Sequence, residues 1–167
     1  IYEVFDENIA CDIRLNDALE HNLVVPFHYF GISDIKSIDY ENIDLSKIDE
    51  LAKLLNVNKR AEFIIEQMNF YSHIGNKRKV IGFCVSKEHA SFMSEKFNEN
   101  KINSISLTSV DSIEKREEYI KKLEDENDSL EVIFTVDIFN EGVDIPSINT
   151  VLFLRPTNSP IVFIQQL

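Results

Sequence analysis

Thr135-Val-Asp-Ile-Phe-Asn-Glu-Gly-Val-Asp-Ile-Pro146 is the most informative stretch of this chain. The strand-forming run Leu130–Phe134 leads directly into it, and a polar loop with one glycine follows. A buried strand that ends this way presents hydroxyl, carboxylate and amide groups at the carboxyl edge of a sheet. In open α/β sheets that edge is where ligands bind. The alternative for these residues taken alone is a polar turn after a core strand.

Working outward, the same alternation repeats. Val80–Val85 is a continuous apolar run that reads as a buried strand. Ser86 is placed to cap a helix over 87–99 that buries Ala90, Phe92, Met93 and Phe97. Ile102–Leu107 reads as a short strand, and Asp111-Ser-Ile-Glu114 has the spacing of a capping box opening a helix to about Glu124. Strands over Leu130–Thr135 and Thr150–Leu154 follow, then a helix from about Pro160. Strands alternating with helices predict an α/β fold: a three-layer sandwich with a mainly parallel sheet and helices on both faces.

The first half reads differently. Helical spacing is expected over Asp12–His21, over Leu45–Leu55, and from Asn58 to near Gly75. Leu23–Gly31 reads as a strand, with Pro26 placing it at an edge or bulge.

Composition narrows the function classes. The 167 residues, 44% hydrophobic and 28% charged, suit one soluble globular domain. No apolar run reaches membrane-spanning length, and Ile1–Glu7 lacks the basic and apolar regions of a signal peptide. The chain has no initiator Met and stops at Leu167 inside a helix-like run, which suggests a fragment of a longer protein. Cys84 sits in an apolar run, as a buried reduced thiol would. The histidines lack metal-ligand spacing, so no metal site is assigned, and the expected compartment is the reducing cytoplasm. A net charge of -12 opposes general attachment to nucleic acid while allowing a few local phosphate contacts.

Four segments together resemble the second RecA-like domain of superfamily-two helicases. The likeness is greatest to bacterial DEAD/DEAH-type proteins related to restriction-enzyme motor subunits and excision-repair helicases. Val80–Ser86 resembles the motif that opens that domain. Leu107-Thr-Ser109 with Glu114-Lys-Arg116 is similar to the next, although Thr108 stands where many relatives have His. Thr135–Pro146 is similar to the fifth motif. Leu154–Thr157 with Phe163–Leu167 resembles the approach to the sixth, and the chain ends before that motif's arginines. Residues 1–35 resemble an interdomain connector with a leading strand. Residues 36–167 resemble the C-terminal RecA-like domain, truncated within the sixth motif.

The resemblance implies roles residue by residue. Ser86 and Thr135 would contact a nucleic-acid backbone, Ser86 having the second task of helix cap. Gly142, Asp144 and Gln165 would face ATP, with Asp144 accepting from a ribose hydroxyl. Arg116 would support packing or an ion pair. No catalytic residue is assigned within this chain. It has no GxxxxGK[ST] loop, so the phosphate cradle and magnesium ligand of the whole enzyme would lie on an N-terminal RecA-like partner domain. ATP and Mg2+ would thus be cofactors of the longer enzyme, and the track would be DNA or RNA, DNA being the one favoured, with no membrane partner. The competing readings are a non-catalytic α/β scaffold of helicase-like shape and a small-molecule enzyme on a nucleotide-binding fold. The latter lacks a glycine-rich fingerprint and an acid–base pair.

Overall fold

The computed structural model describes residues 15–36, 38, 44, 47–71, 75, 77–136 and 145–156. The chain divides into two compact units, Ile1–Ser33 and Asp34–Leu167.

In the first unit, helix α1 spans Leu15–Glu20. Asn22 stops it in the left-handed conformation, with φ 54°. The Leu23 amide reaches back to the Ala18 carbonyl and the Asn22 amide to that of Leu19, at 2.8 and 3.2 Å. Those two bonds satisfy carbonyls that a helix end otherwise leaves orphaned. The strand expected at Leu23–Gly31 is not formed. Its residues are exposed, Val25 at 83%, and no ladder partner is paired with them among the described residues. A strand needs a neighbour for its amides, and Pro26 has none to offer.

The second unit is built on a four-stranded parallel sheet. Its strands are β1 Val80–Phe83, β2 Ser104–Leu107, β3 Val132–Thr135 and β4 Thr150–Phe153, in spatial order β2-β3-β1-β4. The register sets Gly82 beside Phe134, and Thr135 beside both Phe83 and Leu107. Helices α2 Ile48–Leu55, α3 Asn58–Phe70, α4 Lys87–Glu99 and α5 Ile113–Glu124 complete the described elements.

Strand alternation sorts the core into two layers. Val80, Cys84, Val132 and Phe134 pack with Ala61, Ile65 and Met68 of α3 and with Ala90, Met93 and Phe97 of α4. Ile81, Phe83, Leu107 and Ile133 pack on the other face with Leu123 of α5. The expected three-layer α/β sandwich is therefore the observed one. A smaller cluster joins Leu51, Ala52 and Leu55 of α2 to Ile38 and Val85.

Gly82 is required where it stands. A Cβ there would come within 2.5 Å of the Phe134 ring, which lies over the glycine and meets Phe97 edge-on at 4.8 Å.

One helix start differs from expectation. The cap of α5 is Ser112, whose Oγ accepts from the Lys115 amide at 3.2 Å. Asp111 instead closes the preceding loop, accepting from the Thr108 amide at 2.8 Å. That amide takes Oδ2 and the Lys115 ammonium takes Oδ1, which leaves the capping task to the next residue. The helix expected from Pro160 falls outside the described residues.

Candidate functional site

Parallel topology brings the carboxyl ends of all four strands to one edge. Among the predicted site residues, Ser86 and Thr135 are described, and both belong to this edge. Thr135 is the last residue of β3. Ser86 follows the end of β1, the strand paired directly with β3. The Cys84 amide extends that ladder to the Thr135 carbonyl at 2.8 Å. Gly142, Asp144 and Gln165 lie outside the described residues.

Ser86 caps α4, its Oγ accepting from the His89 amide at 3.1 Å. The Glu88 carboxyl is held below its ordinary pKa, first by its own backbone amide and then by the Ser86 hydroxyl. The hydroxyl is therefore engaged at the helix start, and Ser86 is buried.

Thr135 is the opposite case. Its side chain is fully buried between Phe83 and Leu107, both of them buried and apolar. The Oγ1 has no hydrogen-bond partner among the described residues. A buried hydroxyl left in this state costs about 1–3 kcal/mol, so the position is not explained by stability.

The loop between β2 and α5 lies at the same edge and is tightly held. Arg116 donates through Nη2 to the carbonyls of Ser109 and Asp111, at 3.0 and 2.7 Å. It supports the loop through backbone carbonyls rather than an ion pair among the described residues. The Lys115 ammonium, then the Thr108 amide, hold the Asp111 carboxyl below the usual range. Val110 and Ile113 remain outside, 76% and 66% exposed.

Beneath the edge lies a polar cluster that the sequence reading did not single out. Arg60 of α3 is buried and donates through Nε to Asp34 Oδ2 at 2.7 Å. Its Nη2 faces the Leu154 carbonyl and its Nη1 faces His89 Nε2, each at 3.4 Å. His89 is fully buried, and its Nδ1 faces the Val85 amide at 3.3 Å. A neutral imidazole has one acceptor nitrogen for these two donors. A second proton would leave none and would add a cation beside Arg60. Burial first, then the Arg60 charge, pull the His89 pKa from 6.5 to about 3, against the opposing pull of Asp34. No local signal marks this cluster, because its members are far apart in the chain. Cys84, expected as a buried thiol, is one, and burial pushes its pKa up.

A cleft of about 410 Å³ lies elsewhere, lined by Lys77, Lys79, Glu126 and the Pro146–Asn149 turn. It borders the amino end of the sheet. Its lysines already serve the carbonyl end of α5: Lys77 Nζ donates to Lys122 and Asp125, and Lys79 Nζ to Glu124. Cations at a helix C-terminus satisfy its last carbonyls and its dipole, which gives these side chains a structural role. No helix of the described residues is long and apolar enough to cross a membrane.

A parallel α/β sandwich with polar groups gathered at its carboxyl edge is the architecture of nucleotide-handling domains. Residues 46–167 match the helicase conserved C-terminal domain, and the chain belongs to that family. Over its whole length it is 27% identical to the provisionally named ATP-dependent helicase IRC3 of Saccharomyces cerevisiae, covering 22% of that protein. A 51.5 kDa protein of a Lactococcus phage is 24% identical over 89% of the chain, which covers 32% of it. The chain therefore spans less than a third of these curated relatives. The crystal structure of the Pyrococcus furiosus Hef helicase domain is similar over 72% of the chain and 22% of its own, with TM-score 0.47 and 20% identity.

Proposed function

We propose that this chain is the C-terminal motor domain of an ATP-dependent helicase or translocase acting on nucleic acid. It contributes one wall of an ATP cleft and part of the strand track. The observation that carries the reading is Thr135: a buried hydroxyl without a partner among the described residues, at the carboxyl end of a central strand, in a domain of the helicase C-terminal family. A polar group kept at a cost to stability is expected where function uses it.

In this reading Thr135 and the Ser86 junction meet the phosphate backbone. Because Thr135 is enclosed, its hydroxyl reaches a ligand only when the side chains around it rearrange. Gly142, Asp144 and Gln165 supply the nucleotide side, Asp144 through a ribose hydroxyl. The residue types at these positions suit one side of a nucleotide site. Without a phosphate loop in this sequence, the triphosphate and Mg2+ would be held mainly by an N-terminal RecA-like partner domain. ATP bound between two such domains supplies the free energy of hydrolysis, and this chain's part is to orient, exclude water and relay closure to the track.

The test compares the purified chain with the longer protein containing it. The chain alone is expected to turn over no ATP above background and to bind nucleic acid weakly. The longer protein is expected to hydrolyse ATP, faster with nucleic acid present. Substantial turnover by the chain itself, free of contaminating ATPase, would overturn the assignment of the phosphate site to another domain.

A further inference from the structure

Arg60 stands in the first turn of α3, where the helix dipole disfavours a cation, and its side chain is only 6% exposed. A buried charge is expensive unless paired, and an apolar residue of similar volume often serves stability as well or better. Packing therefore does not explain the guanidinium. Its partners are more informative than its burial. Asp34 opens the second unit. His89 lies at the β1–α4 junction, where its amide bonds to Ser86 Oγ and its ring faces the Val85 amide. The Leu154 carbonyl directly follows β4, immediately before Arg155-Pro156-Thr157 in the sequence. A planar cation with five donors can address all three at fixed angles, whereas a lysine ammonium cannot reproduce that fork.

We propose that Arg60 is a positioning residue that fixes the Ser86 junction relative to the exit of β4, so that strand binding at the first is transmitted to ATP turnover through the second. This rests on the motor reading above and adds to it the residue that couples its two sides. Arg60 touches neither ligand in this proposal. It acts by holding two backbone segments in one register, with Asp34 holding the guanidinium.

The experiment uses the longer protein with Arg60→Lys, Arg60→Met and Asp34→Asn. ATP turnover is measured with and without a single-stranded oligonucleotide, alongside urea unfolding. The expected result is a fall of about tenfold in the stimulation ratio, the loss of a coupling of ordinary size. Unstimulated turnover and the KM for ATP should stay within roughly twofold, as when an interaction made only in the activated state is removed. Arg60→Lys keeps the charge and should still lose the ratio. Asp34→Asn keeps the volume and leaves Arg60 in place, so it carries the same readout if an Arg60 variant fails to fold. An unchanged ratio in folded variants, whatever their stability, would overturn the coupling role while leaving the motor reading intact. A wild-type protein whose turnover ignores nucleic acid would overturn both.

Discussion

Replacing Thr135 by Val separates stability from function at the residue on which the functional reading depends. Valine keeps the branched shape and exchanges the hydroxyl for a methyl group. In the folded chain that hydroxyl is enclosed beside Phe83 and Leu107 and bonds to nothing among the described residues. Removing an unsatisfied buried polar group recovers its desolvation cost, about 1–3 kcal/mol. Valine suits a central strand at least as well as threonine, so the net expectation is a gain of about 1 kcal/mol. For a chain of this length that gain raises the melting temperature by about 2–4 °C. In the longer protein the same change should lower nucleic-acid-stimulated ATP turnover by about tenfold or more, since a hydrogen bond to a charged phosphate contributes about 1.5–3 kcal/mol. Urea unfolding of the chain and steady-state ATPase assays of the longer protein read the two effects separately. Thr135→Ser is the control: it keeps the hydroxyl, should keep the activity, and loses the packing of one methyl group. A Thr135→Val chain destabilised by more than about 1 kcal/mol would mean that the hydroxyl is satisfied, and the reasoning would fail at its first step. A stabilised variant with full stimulated turnover would remove Thr135 from the track.

Two further outcomes follow from the same structure. His89 is held neutral when folded, with its pKa lowered to about 3, whereas the unfolded chain takes up a proton below 6.5. Its contribution to stability is thus complete above 6.5 and is lost as pH falls toward 3. Between about pH 8 and about pH 5.5 that loss is about 1 kcal/mol. His89→Asn, which keeps an acceptor for the Val85 amide, should lose that much less over the same interval in urea titrations, and an equal slope in both proteins would refute the neutral buried ring. Gly82→Ala drives a methyl group into the Phe134 ring, and overpacking of this kind costs about 1–3 kcal/mol. A chain that tolerates it with an unchanged unfolding midpoint would mean that Phe134 has room to move.

Local spacing was enough to set most of the elements in residues 80–154 and which of their faces is apolar. Val80–Phe83 and Val132–Thr135 are strands because continuous apolar runs suit positions buried on both faces. Lys87–Glu99 is a helix because Ser86 starts it and Ala90, Met93 and Phe97 fall on one face. Those are local signals, written in spacing. The helicase likeness was legible for the same reason, since its motifs are short runs at strand ends. What depends on distant partners was not legible. Leu23–Gly31 has the composition of a strand, but a strand exists only where a neighbour accepts its hydrogen bonds. Asp111 and Ser112 both suit a helix cap, and only the contacts of Asp111 with Thr108 and Lys115 decided between them. Arg60 reads as one more charge on a helix. Tertiary structure buried it by bringing Asp34, His89 and the Leu154 carbonyl to one point. Thr135 was visible as a polar residue at a strand end, yet that its hydroxyl is enclosed, with no partner among the described residues, depends on Phe83 and Leu107, which reach it only through the sheet. Spacing encodes which face of an element is apolar; the partner of a buried polar group is set by which elements the fold brings together.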